Sequence, residues 1–326
     1  MRIGLTYDLR DDYLREGYSD DETADLDAPF TIDAIEAALT ALGHAVERIG
    51  GVKRLAARLA AGDRWDLVFN LAEGLFGFAR EAQVPALLDA FQIPYTFSDG
   101  LTLALTLHKG LTKHVVRDLG IPTPDFAIVS RESDAMQVNL PYPLFVKPVA
   151  AGSSAGISAA SIVADSSALP PACRSILERF GQPALVETYL PGRELTVGIV
   201  GTGPRAVVLG VMEVVLRPEA ERGVYSYSNK NLELARYRIA EDSAAAEAAD
   251  IALRAWNGLG CRDAGRVDCR CDHHERAYFL EVNPLPGLHP THADLVILAG
   301  LVGVRYGELI ESIVASACDR IEVVPD

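Results

Sequence analysis

Two stretches near the C-terminal end constrain this chain most. Gly265-Arg-Val-Asp-Cys-Arg-Cys-Asp and Ala277-Tyr-Phe-Leu-Glu-Val-Asn alternate in polarity, and only His-His-Glu-Arg separates them. A period of two sends successive side chains to opposite faces, so the pair is expected to form a β-hairpin. With a symmetric turn between His274 and Glu275, Asp268 lies opposite Glu281 and Arg266 opposite Asn283. Those four residues share one face. Val267, Cys269, Cys271, Tyr278, Leu280 and Val282 make the other, a core face. Carboxylates directly opposed across a ladder repel. A hard divalent cation between Asp268 and Glu281 relieves that repulsion, and the Asn283 side-chain oxygen completes a donor set suited to Mg2+, which also takes phosphate oxygens and water. The competing reading is a solvated polar face on which Arg266 neutralises one acid.

The first ninety residues read as strand, helix, strand, helix, strand. Residues 2–7 alternate, 31–42 carry helical spacing with Thr31 as N-cap and Gly43 as stop, 44–49 form a strand, a helix follows near 52–61, and 65–70 form a third strand. This order predicts a parallel sheet with helices on its faces, an α/β arrangement. The first turn has no G-x-G-x-x-G, so the dinucleotide fingerprint is absent. Residues 11–30 are acidic and poor in aliphatic side chains, a surface loop or short helix. A helix over 101–119 ends at Gly120-Ile-Pro-Thr-Pro. Strands then dominate, at 126–129, 143–147, 157–163, 184–187, 195–200 and 206–215, with one helix near 170–180. Residues 218–231 lack apolar periodicity and read as a mobile loop; helices follow over 243–258 and about 293–318.

Charge and cysteine usage narrow the function. Acidic residues outnumber basic ones 45 to 30, for a net charge of −15. A phosphate-backbone partner is repelled by such a chain, so no nucleic acid is expected. No apolar run reaches the roughly 18 residues that cross a bilayer, so no membrane partner is expected. The start, Met-Arg-Ile-Gly-Leu-Thr-Tyr-Asp, is not a basic stretch leading into an apolar core, which points to a cytoplasmic location. The five cysteines, Cys173, Cys261, Cys269, Cys271 and Cys318, are an odd set expected to stay reduced. Cys269 and Cys271 precede Asp-His-His, but both sulfurs fall on the apolar face, so they are read as core and not as transition-metal ligands. Only five of the 30 basic residues are lysine: Lys53, Lys109, Lys113, Lys147 and Lys230. Where arginine supplies the general surface charge, a lysine marks either an ordinary surface position or one that needs a compact point charge.

Two further segments carry chemistry. Pro143-Leu-Phe-Val-Lys is an apolar strand ending in Lys147, followed by a small loop, Gly152-Ser153-Ser154-Ala155-Gly156. Small residues let backbone N–H groups approach a phosphate, and hydroxyls add donors. The loop is not a Walker A motif, and taken alone it is also an ordinary tight turn. Ala184-Leu-Val-Glu is a buried strand ending in Glu187, and its connector leads to a second acid, Glu194. Such a segment offers backbone groups to a flat base and a carboxylate to a ribose or exocyclic amine, or it is a plain connection with solvated acids. His108 and His114 flank Lys109 and read as helix-surface residues. Ser153 has no G-x-S-x-G elbow to make it a hydrolase nucleophile.

In this order the segments resemble the ATP-grasp superfamily and, within it, the D-alanine–D-alanine ligases. The resemblance runs from about residue 84 to 310 through Ile93-Pro-Tyr-Thr, Leu107-His-Lys-Gly-Leu-Thr-Lys, Phe145-Val-Lys-Pro, Gly152-Ser-Ser-Ala-Gly, Val186-Glu, Gly192-Arg-Glu-Leu-Thr-Val, Tyr227-Ser-Asn-Lys, Gly265-Arg-Val-Asp and Leu280-Glu-Val-Asn-Pro-Leu-Pro-Gly-Leu. It implies an ATP-grasp fold: an N-terminal α/β substrate domain over 1–100, a central ATP-grasp subdomain over 101–188 and a C-terminal one over 189–326, with ATP between the last two. It implies that Lys109, Lys147, Gly152, Ser153, Ser154 and Lys230 serve the nucleotide phosphates. Glu187 and the backbone near Leu190 match the adenine segment, and Glu194 the ribose acid. Asp268, Glu281 and Asn283 match the Mg2+ ligands (Mn2+ being an alternative ion). Arg266 and the Gly287 N–H match the stabilisers of the reacting oxyanion, with Lys230 and Ser153 also at the reacting phosphate. The implied reaction is a peptide or amide ligation. A carboxylate attacks the γ-phosphate to give an acyl phosphate and ADP; an amine then attacks the acyl carbon and phosphate leaves. The other reading is a non-catalytic nucleotide-binding protein that keeps the fold. The implied partners are small amino-acid or carboxylate substrates and, by family habit, a second copy in a homodimer.

The resemblance fails at the start of the chain. The ligases carry Gly-Gly-x-Ser-x-Glu-x-x-x-Ser after their first strand, where this chain reads Thr6-Tyr-Asp-Leu-Arg-Asp-Asp-Tyr. Asn231 follows the loop lysine in place of tyrosine, Ala151 stands at an acidic position, and His289-Pro-Thr-His lacks the usual serine. The ATP machinery carries over and the amino-acid pocket does not; Asp8 or Glu73 is a candidate to hold an amine.

Overall fold

The structure is a computed structural model and describes residues 1–152, 154–221, 223–224 and 234–321. Its first sheet is parallel, in the order β2-β1-β3, from β1 (Arg2–Thr6), β2 (Ala45–Arg48) and β3 (Leu67–Asn70). Ile3 to Thr6 and all of β3 are buried, as strands covered on both faces must be. Two helices lie between β1 and β2, a short one over Arg10–Arg15 and the expected one over Pro29–Ala41. The latter starts earlier than Thr31 because Pro29, with φ already set, takes the first helical position behind Ala28; Thr31 is buried in the first turn and is not the N-cap.

The second sheet is antiparallel, β4-β7-β5-β6, from β4 (Phe126–Val129), β5 (Leu144–Pro148), β6 (Ile162–Val163) and β7 (Ala184–Thr188). The strand expected over 157–163 shrinks to its last two residues. Ser158 and Ser161 bond reciprocally to each other's ends of a 3-10 turn over Ala159–Ser161, and those local bonds displace the ladder. The expected helix 101–119 is two helices, Gly100–Leu107 and Lys109–Asp118. His108 leaves helical geometry between them and its Nδ1 accepts from the Leu111 N–H at 3.2 Å. It is thus a cap and not a surface residue, whereas His114 is exposed and packs on Phe126.

The third sheet is antiparallel, β10-β9-β8-β11-β12, from β8 (Glu194–Val200), β9 (Val207–Leu216), β10 (Ala235–Ile239), β11 (Ala264–Cys271) and β12 (Ala277–Asn283). Strand β10 is an edge strand the sequence reading missed. The hairpin β11–β12 keeps the expected register where it matters: Asp268 pairs with Glu281 and Arg266 with Asn283. At Asp268/Cys269 the register slips by one, so Cys269 faces Phe279 and Leu280 is the extra residue of a bulge. Phe279 and Ala277 therefore enter the core with Val267, Cys269, Cys271 and Val282, while Tyr278 and Leu280, expected there, do not. All five cysteines are free.

The terminal helical region is broken at Gly303 (φ 85°) into Asp294–Leu301 and Tyr306–Ile321. The last helix folds back on the first sheet, burying Leu309, Ile310 and Ile313 in one core with Ile32, Ile35 and Leu39. Fully buried Asp263 clamps this return. It accepts from the Phe97 N–H at 2.7 Å and pairs with Arg320 at 2.6 Å. No helix among the described residues is long and apolar enough to cross a membrane.

Candidate functional site

The second and third sheets enclose an open cleft of about 760 Å3. Phe145, Tyr189, Leu190, Ile157 and Leu280 supply apolar surface, and the Phe145 and Tyr189 rings lie nearly parallel, 6.3 Å apart. This is a slot for a flat, largely apolar ligand with polar ends. The bulge on β12 is what turns Leu280 into it. At one end Glu194 pairs with Arg270 at 3.3 Å. Arg270 also lies over the Tyr189 ring and donates to the Gly223 carbonyl at 2.8 Å, so it ties Gly223 to the cleft.

At the other end three lysines converge on two acids. Glu187, at the end of β7, sits 2.9 Å from both Lys113 and Lys147. Burial alone would raise its carboxyl pKa, but the two ammonium groups lower it instead. Burial would likewise lower Lys147, yet Glu187 and Glu281 raise it. Lys113 is fully buried, also donates to Thr123 Oγ1 at 2.7 Å, and burial prevails in lowering its pKa. Lys109, first residue of its helix, sits where the His108 break aims it: Nζ donates to the Ala151 carbonyl at 2.5 Å and lies 3.6 Å from Glu281. Lys147 is 3.9 Å from Glu281. Burial pushes the Glu281 carboxyl up, but Lys109, Lys147 and Arg266 overcome it and hold it at about 2.

Asp268, opposite Glu281, is raised by burial and by Glu281, against the pull of Arg266. It pairs with Arg266, accepts from Thr196 Oγ1 at 3.0 Å and from Asn283 Nδ2 at 3.2 Å. The arginine does neutralise one acid, yet both carboxylates line a cleft wall, only partly exposed, and are not on a solvated face. Among the described residues no three His, Cys, Asp or Glu side chains are grouped to hold a metal. The donor set available is two opposed carboxylates and an amide oxygen. It fits a cation that takes its other ligands from phosphate and water, and a positive charge there would offset the repulsion between two directly opposed carboxylates.

A second pocket of about 660 Å3 shares Arg266 and Glu281 with the cleft. Lys109, Gly152, Asn283 and Gly287 line one side; Asp25, Glu73, Arg80 and Glu81 line the side from the first sheet. A Cβ added at Gly287 would meet nothing nearer than the Ala293 Cβ at 3.9 Å, so its backbone is open to the pocket. Of the residues singled out by sequence, Lys147, Ser154, Glu187, Leu190, Glu194, Arg266, Asp268 and Glu281 line the cleft, and Lys109, Gly152, Asn283 and Gly287 line the second pocket. Ser153 and Lys230, with most of the 218–231 loop, lie outside the described residues. Lys113, Arg270 and the Asp25–Arg80–Glu81 group were not foreseen. The scarcity of lysine could have flagged Lys113. Asp8 is buried beside a different cavity, held by Tyr13 and the Gly74 N–H, so Glu73 is the candidate that reaches this site.

A three-stranded parallel sheet followed by two antiparallel sheets that face each other across a lysine- and carboxylate-lined cleft defines an ATP-grasp ligase. Residues 115–315 match the family model described as D-ala D-ala ligase C-terminus. The chain is 33% identical over 277 residues to the D-alanine--D-alanine ligase of Bordetella petrii, covering 83% of this chain and 81% of that one. It is 34% identical over 301 residues to the uncharacterized protein y4sG of Sinorhizobium fredii, covering 88% and 87%. The solved D-alanine--D-alanine ligase of Bacillus anthracis complexed with ATP superposes with a TM-score of 0.74 over 99% of each chain at 20% identity, which speaks for the fold. The chain belongs to the D-alanine–D-alanine ligase family and is an ATP-dependent ligase. The non-catalytic alternative is not favoured.

Proposed function

We propose that this ligase joins a carboxylate to an amine, forming a peptide or amide bond through an acyl phosphate, with Mg2+ held by Asp268, Glu281 and Asn283. The observation that carries the reading is the sharing of Arg266 and Glu281 between the cleft and the second pocket. A nucleotide in the one and a carboxylate in the other would meet at those two side chains. Bound ATP would supply the phosphoryl group that activates the carboxylate, and Mg2+ would neutralise its charge.

The residues of the chain then divide the work. Leu190 and Glu194 face the base and ribose end of the slot, and Glu187, among the lysines, is assigned to the adenine by resemblance. Lys109, Lys147, Gly152 and Ser154 face the phosphates, and Ser153 and Lys230 are assigned there by resemblance. Arg266 and the Gly287 N–H are placed to stabilise the oxyanion that develops when the amine attacks. In this reading residues 1–100 supply the substrate wall, and 101–188 and 189–326 the two halves around the nucleotide. Glu73 takes the substrate amine in place of the missing family glutamate. A cytoplasmic setting and a homodimer are consistent with the family. D-Alanine is the substrate printed in the relatives' names, and the altered first domain leaves the choice of amino acid to be measured. The test is ADP release across D- and L-amino acids, with product mass recorded. Substrate-dependent release with a condensed product supports a ligase, and silence across the panel overturns it.

A further inference from the structure

Asp25 and Arg80 wall two cavities at once. One is the second pocket, where Lys109, Arg266 and Gly287 surround the position of a reacting carboxylate. The other lies beyond the pair, a hollow of about 1060 Å3 that opens to solvent. Leu26, Leu75, Phe76 and Phe180 give it apolar walls, and Glu22 and Arg179 line it as well. The segment 19–26 that lines it belongs to the acidic stretch 11–30, downstream of the point where the family's usual substrate-binding segment is absent. It is fixed at both ends: Asp21 pairs with Arg179 at 2.7 Å, and Asp25 Oδ2 accepts from the Gly152 N–H at 3.2 Å.

The charges between the cavities are unequal. Arg80 is one guanidinium shared by Asp25 at 2.8 Å, Glu73 at 3.2 Å and Glu81 at 3.7 Å. Asp25 Oδ1 is buried and accepts no hydrogen bond. In the outer cavity Arg179 is already taken by Asp21, while Glu22 is held by the Ser19 N–H and hydroxyl and not by a cation. Both arginines are therefore committed to acids, and carboxylate capacity is left over around the wall that the two cavities share. An anionic group entering there gains no free cation and meets like charge. An aliphatic stem finds Leu26, Leu75 and the two phenylalanines, and a cation at its end finds Glu22 and Asp25.

We infer that the amino acid bound in the second pocket has a long side chain that passes the Arg80–Asp25 pair and ends in a cationic group in the outer cavity. The substrate class is a basic amino acid such as lysine, ornithine or arginine. The inference rests on the ligase reading above and names the substrate of that same site. Alanine, with one methyl group, would leave the outer cavity to water.

The experiment measures ADP release and product mass for the full-length enzyme with lysine, ornithine, arginine, norleucine, glutamate and alanine. Each is supplied in both enantiomers, alone and paired with every other. The expected kcat/KM for a basic amino acid exceeds that for alanine by roughly tenfold or more, with norleucine between them and glutamate lowest. Glu22→Arg, at an exposed position, is expected to lower the lysine-to-alanine ratio of kcat/KM about tenfold, and Glu22→Gln by less, with thermal melting confirming that both variants fold. Alanine used as well as lysine, or a ratio that Glu22→Arg leaves unmoved, overturns the inference while the ligase reading stands. No ADP release with any amino acid overturns both.

Discussion

Glu281→Gln keeps the shape of one side chain and deletes one charge where the cleft and the second pocket meet. The carboxylate lies 3.6 Å from Lys109 Nζ and 3.9 Å from Lys147 Nζ. Burial works against its ionisation, but these lysines and Arg266 hold its pKa at about 2, against an ordinary value of 4.5. Holding the carboxyl that far below its ordinary value corresponds to roughly 3–4 kcal/mol of favourable interaction in the folded chain. Because the folded pKa is depressed, that stability is fully present above about pH 4.5 and is lost as pH falls towards 2. The variant has no such group to titrate, so its stability at neutral pH drops by up to roughly 3–4 kcal/mol and its acid limb flattens between about pH 5 and pH 2. Activity falls further, because a metal-facing charge and the partner of two phosphate-facing lysines vanish together. Loss of one preorganised electrostatic group costs about 10²–10³ in kcat. Urea unfolding from pH 2 to 8 reads the first effect, and ADP release under a Mg2+ titration reads the second. Wild-type turnover at limiting Mg2+, or an acid limb identical to wild type, refutes the reasoning.

Other side chains give independent tests. Lys113→Met leaves buried Glu187 with one of its two ammonium partners and should cost about 3 kcal/mol in urea unfolding; adding Glu187→Gln should recover part of it, and strictly additive losses would contradict the buried pair. His108→Ala removes the cap at Leu111 N–H and should cost about 1 kcal/mol at pH 8. Burial, with Lys109 and His114, lowers the His108 pKa from 6.5, so the capping neutral ring contributes stability above about pH 6.5 that is lost as pH falls through the lowered value; an equal cost of the mutation at pH 8 and pH 5 would argue against the cap. Asp263→Ala unpairs Arg320 and frees the Phe97 N–H, so a loss of roughly 3 kcal/mol is expected, with the helix Tyr306–Ile321 exchanging its amide hydrogens first. Uniform exchange across the chain would show that the clamp is not what holds that helix.

The sequence was most legible where its period and its chemistry coincide. The β11–β12 alternation placed Asp268 against Glu281 because a strand's side chains have no freedom to share a face otherwise. The parallel order of the first sheet followed from alternating strands and helices for the same reason of simple geometry. What escaped depended on contacts distant in sequence or on single local bonds. The bulge at Asp268/Cys269 leaves the alternation of each strand intact when read separately, so Leu280 looked like core. The break at His108 is set by one imidazole acceptor within a run of good helix formers. Lys113 looked like any lysine on a polar helix face until Glu187, 74 residues away in sequence (187 less 113), arrived beneath it. The acidic segment at 19–26 carried no periodicity at all, and its meaning lies in what it lines.

These escapes are connected, and together they explain how one site can hold so much charge. Glu187 and Glu281 each face two ammonium groups, and Asp268 faces a guanidinium. No single pair would justify the desolvation of its members, since taking two charges out of water costs about as much as their attraction returns. A ladder of alternating signs changes the comparison, because each added charge is attracted by neighbours already fixed by strands and helix starts. The ladder stays open at its middle. Lys109 and Lys147 lie 3.6 and 3.9 Å from Glu281, beyond hydrogen-bond reach, so both can take up phosphate oxygens without first breaking a short ion pair with Glu281. The His108 break holds Lys109 at that distance, Glu187 holds Lys147 from behind, and buried Lys113 keeps Glu187 from drawing Lys147 away from the cleft. The lysine that no functional argument singled out is thus the one that sets the reach of another that does the binding.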